Sequence, residues 1–461
     1  MRRPATFSLR DPLLRNSFFL LATTASMAAG GFLFWMVAAR FYTAGQLGAA
    51  TSLLSAIVLL SYFSMLGMGG SLVRYLPTSP RPEADIGTAV CTVAAASLTI
   101  GAGYALSLQL IAPKLLFVQA SPALIAAFTV LAAGTAVNLL TDYVFIAMRA
   151  ARYNFLINGL LLTTLKLGLA FGCRWLGSFG IVAAAGTASL LAAGVKLATI
   201  RRGLRLRFSF RIDRWTLRRF LSFSTAEYLA SCLNLAPQLI IPLIILQRLD
   251  AAAAGAYFIA FQVATLLNSV SYAVGEAMFA EGSQSDRDLG RIMRRSAAVI
   301  TLLTVPGAAI VVATDRWVLR AFSAEYSRSA TGALTVLAIS ALSVAFYSWT
   351  TFLLKVAHQL AAMVVSNAVL VLGVTVLALV WADRGIGWVA AAWGVGNLIS
   401  GGVAGGALLL ARPRRPPTPV RRPFPAIELP TAELPIIVLA LDAPTVEVPG
   451  KNFLPESGVI R

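Results

Sequence analysis

From Ser17 to Leu410 the chain never goes far without another long apolar run, and this recurrence restricts the fold more than any motif does. Read in windows of about 19 residues, it divides into segments 17–39, 47–69, 86–110, 122–148, 155–176, 180–200, 220–246, 252–280, 293–313, 329–353, 359–382 and 386–411. Each reaches the roughly 20 residues that a helix rising about 1.5 Å per residue needs to cross the hydrocarbon layer. Lipid offers no partner to a backbone amide, so a spanning chain is either helical or a closed barrel. Barrel strands alternate apolar and polar residues over about ten positions, and none of these segments does. An all-α polytopic membrane protein of twelve transmembrane helices is therefore expected. Composition agrees: hydrophobic residues are 58% and charged residues 12% of the chain, about half the charge of a soluble domain.

Arg2, Arg3 and Arg15 precede the first run, as in a signal peptide, but that run continues through Phe32, Phe34 and Trp35. It is too long for a signal core and reads as a retained helix. With the N-terminus inside, inner segments up to Arg422 hold 26 basic residues and outer segments 8. That asymmetry satisfies the positive-inside rule and places both termini in the cytoplasm of a cell-membrane protein.

The net charge of +19 is then topology plus attraction to anionic phospholipids. Nucleic acid is a poor partner for it, since the arginines are dispersed over loops and no recognition module is legible. Cys91, Cys173 and Cys232 lie in apolar runs without metal-ligand spacing, so neither disulfides nor a metal are expected. His358, the single histidine, stands at a helix end. It cannot build a catalytic triad, and no nucleotide-binding loop or other cofactor signature appears.

The stretch RRGLRLRFSFRIDRWTLRR (201–219) divides the spans six and six. ARFYTAGQLGAATSLLSAIVLLS (39–61) faintly echoes LQRLDAAAAGAYFIAFQVATLLN (246–268), as a parallel repeat about an axis normal to the membrane would. The expected units are residues 1–200 as one six-helix lobe, 201–219 as a basic cytoplasmic loop, 220–411 as the second lobe and 412–461 as a tail. Eleven of the chain's 21 prolines fall in that tail, which reads as disordered.

Polar residues inside the runs point to a site. Lys166 lies about 15 Å from either end of its helix, and a lysine side chain extends roughly 6 Å. It cannot snorkel, and a charge there costs about 2.5–3.5 kcal/mol unless it meets a partner or a watery cavity. Lys196, nearer the inner surface, is read as reaching water by itself. Glu227 is also deep and could neutralise Lys166; Asp142 and Glu276 lie near inner helix ends, with Arg149 two turns beyond Asp142. These three acids are candidates for ion coupling or for charge pairs. Span seven adds Asn234 and Gln238, while Pro237 and Pro242 each free a carbonyl and are candidate hinges or static kinks.

SMLGMGGSLVRYLP (64–77), RNSFFLLATTASMAAGGFLFWMVAARFYTAGQLGAATSLLS (15–55), AAAAGAYFIAFQVATLL (251–267) and DYVFIAMRAARYNFLINGLLLTTLKLGL (142–169) resemble the Wzx-type polysaccharide flippases of the multidrug/oligosaccharidyl-lipid/polysaccharide exporter superfamily. Ala254 stands where that family usually has Val, and the proline-rich tail has no counterpart. The resemblance implies a MATE-like, V-shaped pair of six-helix lobes that moves a lipid-linked oligosaccharide, carried on polyprenyl pyrophosphate, from inner to outer leaflet. It implies a cationic cavity in which Lys166 holds the diphosphate or a sugar acid, with Arg74 and Arg149 attracting it at the inner mouth and Asn234 and Gln238 lining the path. Glu227 would bind a coupling cation, H+ or Na+, or neutralise the empty site. Glycan-assembly proteins are further candidate partners.

Two other classes stay open. In a drug or cation antiporter of the same fold, Asp142, Glu227 and Glu276 would matter more than Lys166. A membrane polymerase or glycosyltransferase would need a sizeable outer loop, and residues 314–328 offer only Asp315 and Glu325.

Overall fold

The computed structural model describes residues 12–223, 225–282, 289–357 and 359–410. All regular elements among them are helical. Residues 1–11 and the tail lie outside the described residues, as does His358. The elements are α1 (Pro12–Phe41), α2 (Ala44–Ser64), α3 (Met68–Tyr75), α4 (Pro82–Ile111), α5 (Pro122–Ala147), α6 (Ala151–Asn154), a π-helical segment (Phe155–Leu162), α7 (Thr163–Gly172), α8 (Ser178–Arg202), α9 (Arg214–Phe223), α10 (Thr225–Arg248), α11 (Ala251–Gly282), α12 (Leu289–Phe322), α13 (Ala324–Ser329), α14 (Thr331–Val356), α15 (Leu360–Trp381) and α16 (Ile386–Leu410).

Ten candidate spans are long and apolar enough to cross a membrane, and α1 and α10 contribute the shorter apolar stretches Ser26–Phe41 and Cys232–Arg248 among the described residues. The chain is a multi-pass membrane protein. Three boundaries differ from the sequence reading. Span two breaks at Leu66 (φ 46°) and Gly67 (φ 74°), two successive left-handed residues that turn the chain into α3. Glycine adopts that region without steric cost, which accounts for Gly67, while Leu66 carries the strain of the turn. Span seven starts later, because residues 214–223 form the separate amphipathic helix α9. The outer segment 314–328 is mostly helical, taken up by the end of α12 and by α13.

Packing repeats along the chain. Before α9, α1 lies on α7, α4 on α5, α5 on α8 and α7 on α8; after it, α10 lies on α15, α12 on α14, α14 on α16 and α15 on α16. The two sets meet where α2 crosses α10 and α11. At the end nearest Ala44, the arginine distribution's outer end, the crossing is backbone to backbone. A Cβ on Gly48 would collide with the carbonyl oxygen of Ala251 and lie 2.6 Å from the Gly255 nitrogen. Around it, Ser52 donates to the Pro242 carbonyl at 3.0 Å, Lys114 Nζ to the Leu249 carbonyl at 2.6 Å and Arg40 to the Ala321 carbonyl at 3.2 Å. Trp35 and Phe258 meet edge to face, 4.4 Å between centroids. At the opposite end Tyr228 donates to the Phe63 carbonyl at 2.7 Å.

Candidate functional site

Lys166 stands on α7 and lines a cavity of about 80 Å³ enclosed by α1, α2, α5, the π segment, α7 and α8. Gly30, Trp35 and Ile57 form part of its apolar wall, and Thr135, Asn158, Thr163 and Ser189 its polar part. Every lining residue comes from the first six spans. The chamber that Lys166 lines thus lies within the first six spans, where α1 packs on α7. The Lys166 ammonium makes no hydrogen bond or ion pair among the described residues. The chamber has room for a few waters, though not for a glycan.

Behind this wall lies a charged network that the sequence reading missed. Lys196, read there as snorkelling, is fully buried on α8. Its ammonium donates to the Asn138 carbonyl at 3.0 Å and pairs with Asp142 on α5. Two errors compounded: α8 extends to Arg202, which deepens Lys196, and its side chain points into the bundle rather than toward the surface. Lys196 is also the partner of Asp142, in place of Arg149, which is exposed in a left-handed turn at φ 51°.

Asn158 joins the network to the chamber. From the middle of the π segment its Nδ2 donates to Asp142 Oδ1 at 2.8 Å and to Asn154 Oδ1 at 2.7 Å. Its own Oδ1 has no hydrogen-bond partner among the described residues. The widened turn presents this face to α5, and such π segments recur at functional sites. Nothing in the local sequence NFLINGLLL announces a π turn, although two asparagines four apart in a hydrocarbon-facing run were a signal that polar groups converge there.

The other candidates lie apart. Arg74, at the end of α3, is exposed with its guanidinium 5.7 Å from the Tyr75 ring centroid; neither it nor Arg149 lines the chamber. Asn234 is buried on α10 and donates to the Tyr347 hydroxyl at 3.3 Å, which donates to Asn367 Oδ1 at 2.7 Å, so it faces α14 and α15. Gln238 is half-buried on the same helix. α10 runs unbroken through Pro237 and Pro242 rather than interrupted, and the Pro242 carbonyl takes the Ser52 hydroxyl. Glu227 and Glu276 are carried by α10 and α11, and their side chains lie outside the described residues. Among the described residues no three metal-ligating side chains cluster.

Residues 37–331 match the family described as "Polysaccharide biosynthesis protein". A comparison with curated proteins finds no match. Among solved structures, the chain is similar to the lipid II flippase MurJ in an inward closed conformation, with TM-score 0.65 and 13% identity over 85% of this chain and 87% of that one. It is similar to a MOP superfamily transporter from Pyrococcus furiosus, with TM-score 0.55 and 15% identity over 85% and 93%. A third likeness is to an inward-facing MATE family multidrug resistance transporter, with TM-score 0.53 and 14% identity over 87% and 94%. At these identities the likeness is one of fold, and the fold is MATE-like.

Proposed function

The chain belongs to the polysaccharide biosynthesis protein family, and from that premise we propose that it is a flippase of two six-helix lobes that moves a polyprenyl-diphosphate-linked oligosaccharide from the inner to the outer leaflet of the cell membrane. One observation carries this reading: an ammonium without a partner among the described residues, on the wall of a chamber deep in an apolar bundle. Such a group costs several kcal/mol unless something anionic or aqueous receives it. A diphosphate is a fitting guest, since charge-assisted hydrogen bonds to phosphate strengthen away from bulk water. In this role Lys166 binds the headgroup and Asn158, Thr163 and Ser189 supply neighbouring polar contacts. The sugar occupies space that opens when the helices part.

Arg74 and Arg149 draw the headgroup to the inner mouth from outside the chamber, and Asn234 and Gln238 belong to the opposite wall of the opened path. Pro237 and Pro242 soften α10 there. Glu227 or Glu276 takes a coupling cation. Asp142 is a charge pair rather than a coupling site, because Lys196 already neutralises it. That pairing also leaves Asp142 unavailable to a cationic drug, so an antiporter would have to use Glu227 or Glu276.

The test is Lys166→Ala. A charged-group hydrogen bond contributes about 1.5–3 kcal/mol, so binding of a polyprenyl diphosphate to the purified protein should weaken about 10- to 150-fold, with abundance and melting temperature kept. Glycan export in cells should fall with it. Full export and unchanged binding would remove Lys166 from the site.

A further inference from the structure

Between α8 and α10 lies a surface that the proposed transport path does not use. Residues 204–208 form no regular element, Arg205 being left-handed at φ 58°, but their exposure alternates: Phe208 is buried and Leu204 and Leu206 half-buried, whereas Arg205 and Arg207 are exposed. On α9, Thr216 and Phe220 are buried while Arg214, Trp215, Arg218 and Leu221 are exposed. Trp215 is 66% exposed, Phe210 59% and Ile212 49%. Arginines and large apolar side chains therefore share one outward face, at the bundle end that carries most of the arginines.

The face is fastened to the first six spans. Arg219 donates to both carboxylate oxygens of the buried Asp85 at 2.8 Å each, under the rings of Trp215 (4.7 Å) and Tyr75 (4.8 Å). Asp213 caps α9 by accepting from the Thr216 N–H at 3.1 Å and hydroxyl at 2.8 Å. The Arg207 N–H donates to Glu83 at 3.2 Å and the Asp213 N–H to Thr88 at 3.0 Å, both on α4. Gly87 has no room for a side chain, since a Cβ there would collide with the Ser209 carbonyl oxygen. Arg219 is spent on this clasp, and the exposed arginines stand on a rigid base.

We propose that this face binds the headgroups of anionic phospholipids in the leaflet it borders. Arg207, Arg211, Arg214 and Arg218 take the phosphates, while Phe210, Ile212 and Trp215 enter the boundary between headgroups and acyl chains. Two features argue for a lipid surface over a soluble acidic partner. Tryptophan amid arginines at a span end is the composition of a membrane interface. The face also packs on α3 and α4, at the ends of the apolar spans Pro82–Ile111 and Ser178–Arg202. Guanidinium groups suit phosphate because their forked donors match its oxygens.

The test uses the full chain with Cys91, Cys173 and Cys232 replaced by Ser and a fluorophore on Ser209→Cys. It is reconstituted in vesicles of phosphatidylcholine and phosphatidylglycerol in which one lipid or the other is brominated. At low salt, brominated phosphatidylglycerol should reach half-maximal quenching at a several-fold lower mole fraction than brominated phosphatidylcholine. This preference should vanish in 0.5 M salt, a readout that needs no further mutation. Replacing Arg207, Arg211, Arg214 and Arg218 together by Gln should abolish the preference, since each basic residue near an anionic surface adds to the attraction. Equal quenching by the two lipids in the unsubstituted surface would overturn the proposal. Quenching by neither would overturn it as well, placing the face off the bilayer and open to a soluble acidic partner.

Discussion

Gly48 and Gly255 allow α2 and α11 to touch through their backbones, so adding one methyl group there should tip the protein toward its outward-open form. With Gly48→Ala the new Cβ meets the Ala251 carbonyl and the Gly255 nitrogen, 2.6 Å away. Neither is a side chain that can rotate aside, so the helices must separate by about an ångström. Overpacking of this kind costs about 1–3 kcal/mol. The cost falls only on states in which the seam is closed, which shifts the equilibrium about 5- to 150-fold at roughly 1.4 kcal/mol per tenfold. A reporter lies one turn away: a Cβ on Gly45 would sit 4.0 Å from that of Ala251, inside the roughly 3.5–4.5 Å range of disulfides. Gly45→Cys with Ala251→Cys, in a chain whose three native cysteines are serines, should bridge readily under mild oxidant. The bridged protein should not export glycan, and reductant should restore it. Adding Gly48→Ala should slow bridging by the factor above. Export that continues through an intact bridge, or bridging at an unchanged rate beside Gly48→Ala, would refute the idea that this seam opens.

The remaining predictions concern charge. Removing one member of the Lys196–Asp142 pair strands the other in the bundle, so Asp142→Leu or Lys196→Met should each destabilise by about 3–5 kcal/mol, and the double variant should recover most of it. Thermal melting in detergent checks this, and a double variant as unstable as the singles would show that the pair does not act as a unit. The hydrogen bonds from the Thr216 hydroxyl and then its N–H hold Asp213 below the usual carboxylate range. A depressed acid contributes fully above its unfolded value and loses that contribution as pH falls through the folded one. The opening of α9 read from amide exchange, corrected for the intrinsic pH dependence of exchange, should therefore be steady from neutral pH to about pH 4, near the unperturbed aspartate value, and rise below it. Asp213→Asn, which keeps a cap, should flatten the rise; an identical profile would acquit Asp213.

Hydropathy carried the spans because a bilayer imposes it residue by residue, whereas counting along a helix set Lys166 mid-span and α7 ends at Gly172, six residues beyond it. What failed was whatever depends on direction or on partners remote in sequence. Lys196 looked shallow because its helix end was placed short, and no local pattern reveals that a side chain 54 positions from Asp142 meets it. α9 vanished into span seven because Phe220 and Leu221 continue the apolar run, although Thr216 and Phe220 face α4 and α3. The prolines left a hinge and a static kink equally open; α10 is helical through both, and Ser52 of α2 reaches the Pro242 carbonyl.

Lys166, half-buried on the cavity wall, and Lys196, fully buried behind it, differ in a way that bears on what the chamber accepts. Lys196 is consumed by Asp142, which Asn158 also holds, and that carboxylate has no second ammonium to serve. Around the chamber the described side chains then carry two positive charges and one negative, an excess of one that belongs to Lys166. Unit charges about 4 Å apart interact by roughly 4 kcal/mol at the effective dielectric of a protein periphery, and more in a drier site. An anion entering the chamber gains that interaction, while a cation must overcome it before any contact compensates. Asn158 sharpens the contrast, since the amide that steadies Asp142 also forms part of the chamber wall. Neutralising Lys166 alone should therefore change selectivity as well as affinity: Lys166→Gln, with the pair behind it intact, should narrow the difference in binding between a polyprenyl diphosphate and a cationic amphiphile of equal chain length. A difference left unchanged would mean that the chamber's charge does not select the guest.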